Sequence, residues 1–369
     1  MNDKIYLPGL NGIRAIAALS VAFSHINNRF DYYNLPKSEL LDLANFGVTI
    51  FFTLSGFLIT YLLLVELQKT ATIDVRKFYM RRILRIWPLY FVYLLIVLII
   101  NGIDSLQWPI LFYIFMLPNL RNSFAAITNV TVGSHNLTYM VGHYWSLGVE
   151  EQFYSFWPWI IKRVKNLLQF LIFFPIVYVV IKLLLRLTHA PLGIVTFFNY
   201  TRFGCLAIGA LGAYLYFNKS SKLKYWFTKK TVEICAWILL LIVAINKFHI
   251  TSLIDHELIA MGTLVLIINQ INNPKRLISL EYKLFDYLGK ISFGLYVYNP
   301  LIIYLMAFVI NPMGIKNDLV KKAVIYILVV GAIIIVSHIS YHYFEKRFLK
   351  IKYKYTTIKS AASQEEANS

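Results

Sequence analysis

Two ionisable side chains interrupt the first apolar stretch of this 369-residue chain, Arg14 and His25, eleven positions apart. At 100° per residue they fall within roughly 20° of one helix face and about 16 Å apart along its axis. Charge inside a membrane helix is costly, so each such residue is a candidate functional group. The plainer alternative is an Arg that snorkels to the interface and a His satisfied by a nearby Ser or Asn. Two ionisable groups on one stripe favour a polar cavity that leads inward from Arg14 to His25.

Three further strings carry chemistry. In 74-DVRKFYMRRILRIWPLYF-91, Arg82 and Arg85 are i,i+3 neighbours, and two guanidinium forks side by side suit phosphate. The competing reading is an amphipathic segment pressed on anionic headgroups. In 143-HYWSLGVEEQFYSFWPW-159, Glu150 and Glu151 sit in an aromatic-rich helix, and His143, Ser146 and Glu150 share one face. An acid there either pairs with a neighbouring Arg or tunes a His at a cavity mouth. In 47-GVTIFFTLSGFLIT-60, Ser55-Gly56 is a small pair that either permits close helix packing or places a hydroxyl beside His25. His338 and His342 are i,i+4 on the last helix, but no third ligand lies near, so no metal is expected. His189, His249 and His256 fall at span ends and read as interfacial.

The elements that position these residues are membrane spans. The chain is 58% hydrophobic and 15% charged, with a mean hydropathy of +0.61. A soluble domain carries about 25% charged residues. Runs of about 17–25 apolar residues predict ten helices near 10–27, 45–66, 86–103, 144–162, 167–187, 200–217, 231–248, 254–272, 286–310 and 322–344. The segment 108–118 is too short to cross and reads as re-entrant or interfacial, and 119–142 reads as a polar loop holding two glycosylation sequons. With both termini cytoplasmic, the basic clusters 76–85, 162–165, 219–230 and 346–354 all fall on the cytoplasmic side. That placement explains the formal net charge of +18 by anionic lipid rather than nucleic acid. Cys205 and Cys235 lie in apolar runs and offer neither a disulfide framework nor a zinc pattern. The N-terminal stretch reads as a retained helix, because no cleavage site follows it. The expected organisation is one membrane domain over 1–355 and a disordered cytoplasmic tail over 356–369.

In this order, LPGLNGIRAIAALSVAFSH, GVTIFFTLSGFLIT, FYMRRILRIWPLY, YWSLGVEEQFY and, more loosely, GKISFGLYVYNPLIIY and YHYFEKRF resemble the acyltransferase type 3 family of integral-membrane O-acyltransferases. The resemblance implies transfer of an acyl group, usually acetyl from acetyl-CoA, to a hydroxyl of a surface or exported glycan. It implies a catalytic His25 with Arg14 as companion, and a donor held by Arg82 and Arg85 in a site lined by Ser55, Gly56 and Phe57. Glu150 and Glu151, with Trp145 and Ser146, would stand on the acceptor side. The family often has His where this chain has Asn299, so no acid–base role is assigned there, and often an acid where it has Thr49. The absence of an esterase-like domain from the sequence resembles the standalone form. The expected partners are membrane lipids, acyl-CoA and a glycan or glycolipid acceptor, in the inner (cytoplasmic) membrane, with homo-oligomerisation open. A glycan transporter without acyl chemistry is the competing class.

Overall fold

A computed structural model describes residues 5–36, 43–102, 108–128, 135–245, 250–251, 253–356 and 358, and these form a bundle of α-helices. In chain order they are α1 (Leu10–Asn27), α2 (Leu43–Thr70), α3 (Val75–Asn101), α4 (Ile110–Ile114), α5 (Pro118–Thr128) and α6 (His135–Gly142). Then come α7 (Trp145–Arg163), α8 (Leu167–Leu187), α9 (Leu192–Thr201), α10 (Phe203–Phe217), α11 (Ser221–Phe227) and α12 (Lys230–Ala244). The last are α13 (Asp255–Asn272), α14 (Lys283–Lys290), α15 (Ser292–Ile310), α16 (Asp318–Ser340) and α17 (Lys346–Tyr353).

Six helical stretches among the described residues are long and apolar enough to cross a bilayer: 43–70, 75–101, 167–187, 192–217, 292–313 and 318–353. Helices also form at the other four predicted spans, as α1, α7, α12 and α13, but below that threshold. Arg14 and His25 lower the hydropathy of α1, and Glu150 and Glu151 that of α7. Asp255 and Glu257 do so in α13, while α12 has only 15 residues. Large apolar side chains point outward from the bundle, such as Phe173, Ile238, Phe308 and Ile327, at 50–70% exposure. In water such a surface would be a liability; in lipid it is the solvent-facing side.

The helix α2 is central, packed against α1, α10 and α13. Small residues let the backbones approach: a Cβ at Gly47 would meet the Ala17 carbonyl at 2.5 Å, and one at Gly56 or Gly209 would collide with backbone across the α2–α10 contact.

Two segments differ from expectation. The basic string 74–85, ahead of the span predicted to begin near 86, forms the first turns of α3, started by Asp74, whose carboxylate accepts the Lys77 backbone N–H at 3.0 Å. The stretch 119–142, expected as a loop, folds mostly into α5 and α6, with Met140 fully buried. Residues 108–118 hold one short turn of helix, α4. The N-V-T sequon, His249 and the tail beyond 358 lie outside the described residues.

Candidate active site

Between α1, α2, α3, α7 and α15 lies a cavity of about 130 Å³ whose lining includes Arg14, Ser55, Arg82, Arg85, Ser146 and Glu150, with the hydroxyl-bearing Tyr154, Ser292 and Tyr296. Six residues singled out in the sequence therefore meet in one place. Arg14 donates to Asn11 Oδ1 at 3.2 Å, which orients it along α1. Glu150 sits among hydroxyls: Ser55 Oγ donates to its Oε1 and Tyr154 Oη to its Oε2, each at 2.9 Å. The Arg82 guanidinium lies 5.6 Å from the Tyr154 ring centre, and Arg85 lies 6.0 Å from that of Phe293. Both arginines ride α3 one turn apart, as the i,i+3 spacing requires.

His25 is not in the cavity lining. Its Nδ1 lies 2.5 Å from Asn299 Oδ1. Which atom donates follows from the neighbours. Asn299 Nδ2 donates to the backbone carbonyls of Leu295 at 3.1 Å and Tyr296 at 2.7 Å. A carbonyl accepts only, so the nitrogen of the amide is fixed on that side and its oxygen faces the imidazole. The Tyr296 carbonyl is available because Pro300, four residues on in α15, has no N–H to bond it. His25 therefore donates from Nδ1, and its Nε2 carries the lone pair.

His143 neighbours this imidazole and also the cavity-lining Tyr296. The His143 ring centre is 6.2 Å from that of His25 and 5.3 Å from that of Tyr296. His143 is 5% exposed, and neither ring nitrogen makes a hydrogen bond among the described residues. Tyr296 Oη donates to the His143 carbonyl at 2.7 Å and meets Ser146 Oγ at 2.6 Å. Ser146 Oγ also reaches the His143 carbonyl, at 3.3 Å, so the two hydroxyls and that carbonyl form one small network.

Several predicted site residues face elsewhere. Gly56 is the contact point with the Leu206 backbone of α10. Phe57 is buried between Tyr61 and Tyr216, at ring distances of 6.3 and 6.0 Å. Of that triplet only Ser55 lines the cavity. Glu151 points away from Glu150 and accepts from Trp87 Nε1 at 3.3 Å. Trp145 packs edge-on to Tyr200 at 5.1 Å and Phe52 at 6.0 Å, with the Arg202 guanidinium 5.1 Å away. Glu150, expected on the acceptor side, shares the cavity of Arg82 and Arg85. The partner that orients His25 is Asn299, so the expectation of a His satisfied by an Asn is met there, and the only local signal for this position is the Asn-Pro pair at 299–300. Cys205 is buried and Cys235 exposed, and both are free thiols.

A lipid-facing helical bundle around a polar, cationic cavity defines a polytopic membrane protein with an internal site. The chain belongs to the acyltransferase type 3 family: the family model described as an acyltransferase domain matches residues 7–342. Peptidoglycan O-acetyltransferase OatA of Listeria monocytogenes is 27% identical over 93% of this chain and 56% of its own length. O-acetyltransferase OatA of Staphylococcus aureus is 26% identical over 96% of this chain and 59% of its own. Putative peptidoglycan O-acetyltransferase YrhL of Bacillus subtilis is 35% identical over 42% of this chain and 23% of its own. The chain thus spans a little over half the length of the two OatA proteins. No solved structure matches it.

Proposed function

We propose that this chain is a membrane O-acetyltransferase that takes acetyl from cytoplasmic acetyl-CoA and esterifies a hydroxyl of a cell-envelope glycan. The names of its relatives favour peptidoglycan as the acceptor. The observation that carries the reading is the His25–Asn299 hydrogen bond, which holds one imidazole tautomer and leaves Nε2 unprotonated.

In this reading the donor's phosphates sit at Arg82 and Arg85, where charge-assisted hydrogen bonds are strongest. The cavity of about 130 Å³ is smaller than the roughly 300–1,000 Å³ of a pocket that encloses a drug-sized ligand. The adenosine of the donor therefore stays outside it, while the phosphates meet Arg82 and Arg85 and the pantetheine arm threads inward. The Ser146–Tyr296 hydrogen bond lies across the way to His25 and parts as the thioester advances.

His25 Nε2 takes the proton of the acceptor hydroxyl while that oxygen attacks the thioester carbonyl. The tetrahedral intermediate collapses with loss of the CoA thiolate, which receives the proton back from the imidazolium. The second chemical route has Nε2 itself attack the thioester carbonyl and expel the CoA thiolate; the acceptor oxygen then attacks the acyl-imidazolium, releasing the neutral imidazole, and the hydroxyl proton goes to the thiolate. Both need the same tautomer. Labelled acetyl trapped on the protein without acceptor identifies the second route.

The test of the function is thiol release from acetyl-CoA together with ester formation on a glycan acceptor by the purified chain. A glycan transporter would move the acceptor without cleaving the thioester, and that result removes the enzyme reading. The proposed setting is the cytoplasmic membrane, with Arg82 and Arg85 near its inner face.

A further inference from the structure

Towards its end, the last helical stretch carries a basic or titratable side chain at every fourth position: His338, His342, Lys346 and Lys350. In an unbroken α-helix that spacing drifts about 40° per step, so four such residues spread over roughly 120° of surface. Here a π turn, Tyr341–Glu345, joins α16 to α17, and its wider turn takes up the drift. The four side chains, with Tyr343 and Arg347, line a single groove of about 390 Å³.

Like charges aligned at i,i+4 repel, and among the described residues no acid pairs with Lys346, Arg347 or Lys350. Glu345 points inward, 5% exposed, and accepts from Ser340 Oγ at 3.3 Å. Asp286 accepts from Asn11 at 2.6 Å and pairs with Lys290 at 2.9 Å. The Tyr287 hydroxyl hydrogen-bonds with His338 Nδ1 and holds the inner end of the groove against α14.

The surroundings are apolar. Ile335 and Ile339 lie next to the cationic stripe and are 59% and 50% exposed, on a helix whose span is mostly lipid-facing. A groove lined by several positive charges, with exposed isoleucines on the same helix before it, fits an amphiphile with an anionic head. We propose that it binds the headgroup phosphate of an anionic phospholipid, with an acyl chain lying along Ile339 and Ile335. General attraction of basic loops to anionic membranes does not require a groove. The alignment by the π turn does.

Native mass spectrometry on the full chain, delipidated and then titrated with phosphatidylglycerol or phosphatidylcholine, tests this. Lys346→Gln/Arg347→Gln/Lys350→Gln is compared with Lys222→Gln/Lys224→Gln/Lys230→Gln, which removes the same charge elsewhere. The groove variant is expected to lose phosphatidylglycerol affinity by about 100-fold, with the control and phosphatidylcholine binding unchanged. Equal losses in the two variants overturn the site in favour of bulk charge. Inorganic phosphate binding at the groove without phosphatidylglycerol binding overturns the lipid assignment. Should the triple variant fail to fold, Lys346→Glu alone serves, with the same direction of effect expected.

Discussion

The Nδ1 of His25 donates to the Oδ1 of Asn299 at 2.5 Å, across 274 positions of sequence. This bond joins the first helix to α15 at the deepest polar point of the proposed active site, and the proposed chemistry depends on it.

Substitution of His25 by Ala is expected to abolish transfer. Loss of a general base costs about 10²–10⁴-fold, and loss of an acyl carrier costs more. Thioester cleavage by the folded variant at the parent rate would remove His25 from the reaction.

Asn299→Leu leaves the Tyr296 carbonyl and the His25 Nδ1–H without partners. Each buried unsatisfied group costs about 1–3 kcal/mol, so both stability and kcat fall. Asn299→Asp keeps an acceptor for Nδ1–H and should retain more activity than the Leu variant at matched folded fraction. Equal activity in the two shows that the tautomer lock is not used.

Arg82→Ala and Arg85→Ala each remove one guanidinium from the cavity. A hydrogen bond to a charged group contributes about 1.5–3 kcal/mol, which predicts a rise of roughly 10–100-fold in KM for acetyl-CoA. The check is steady-state kinetics with desphospho and intact donors. An unchanged KM in the double variant relocates the donor phosphates.

Gly56→Val tests packing against chemistry. A side chain there meets the Leu206 backbone of α10, and overpacking typically costs about 1–3 kcal/mol. The expected result is a lower Tm in detergent with KM for donor unchanged in the molecules that remain folded. A selective KM effect at normal Tm restores Gly56 to the site.

Away from the cavity, Lys182 Nζ donates to Glu257 Oε1 at 2.7 Å, with side chains 6% and 11% exposed. Lys182→Met leaves a buried carboxylate uncompensated, a loss of about 3–5 kcal/mol. The double variant Lys182→Met/Glu257→Leu should recover most of it, because two apolar groups replace two desolvated charges. Thermal unfolding in one detergent decides this, and a double variant no more stable than the single contradicts the pairing.

Much of this architecture is legible in the chain itself. Apolar runs mark where helices form, because the bilayer imposes a length on them, and ionisable residues inside those runs mark the cavity. Arg14, Ser55, Arg82, Arg85, Ser146 and Glu150 all announce themselves by being costly or polar where apolar residues are expected. Facing is harder to read. Gly56 and Phe57 look like neighbours of Ser55 in sequence, yet one turn of helix sends them to α10. Long-range pairing is harder still. Nothing local to Asn299 states that its amide meets His25, since helical periodicity orders residues within a helix and says nothing of which faces meet. Irregular helices such as α5 and α6 escape a hydropathy reading because they are short and polar.

Pro300 removes one rung from the hydrogen-bond ladder of α15. An asparagine amide is nearly symmetrical in shape, and alone it has no preference for which end meets an imidazole. The missing rung breaks that symmetry: it leaves a carbonyl that only the nitrogen end can satisfy. Replacing Pro300 with Ala would close the ladder and weaken this preference, while the Leu295 and Tyr296 carbonyl oxygens would still repel the oxygen end of the amide. A gap in a backbone thereby bears on the choice of which ring atom carries a proton.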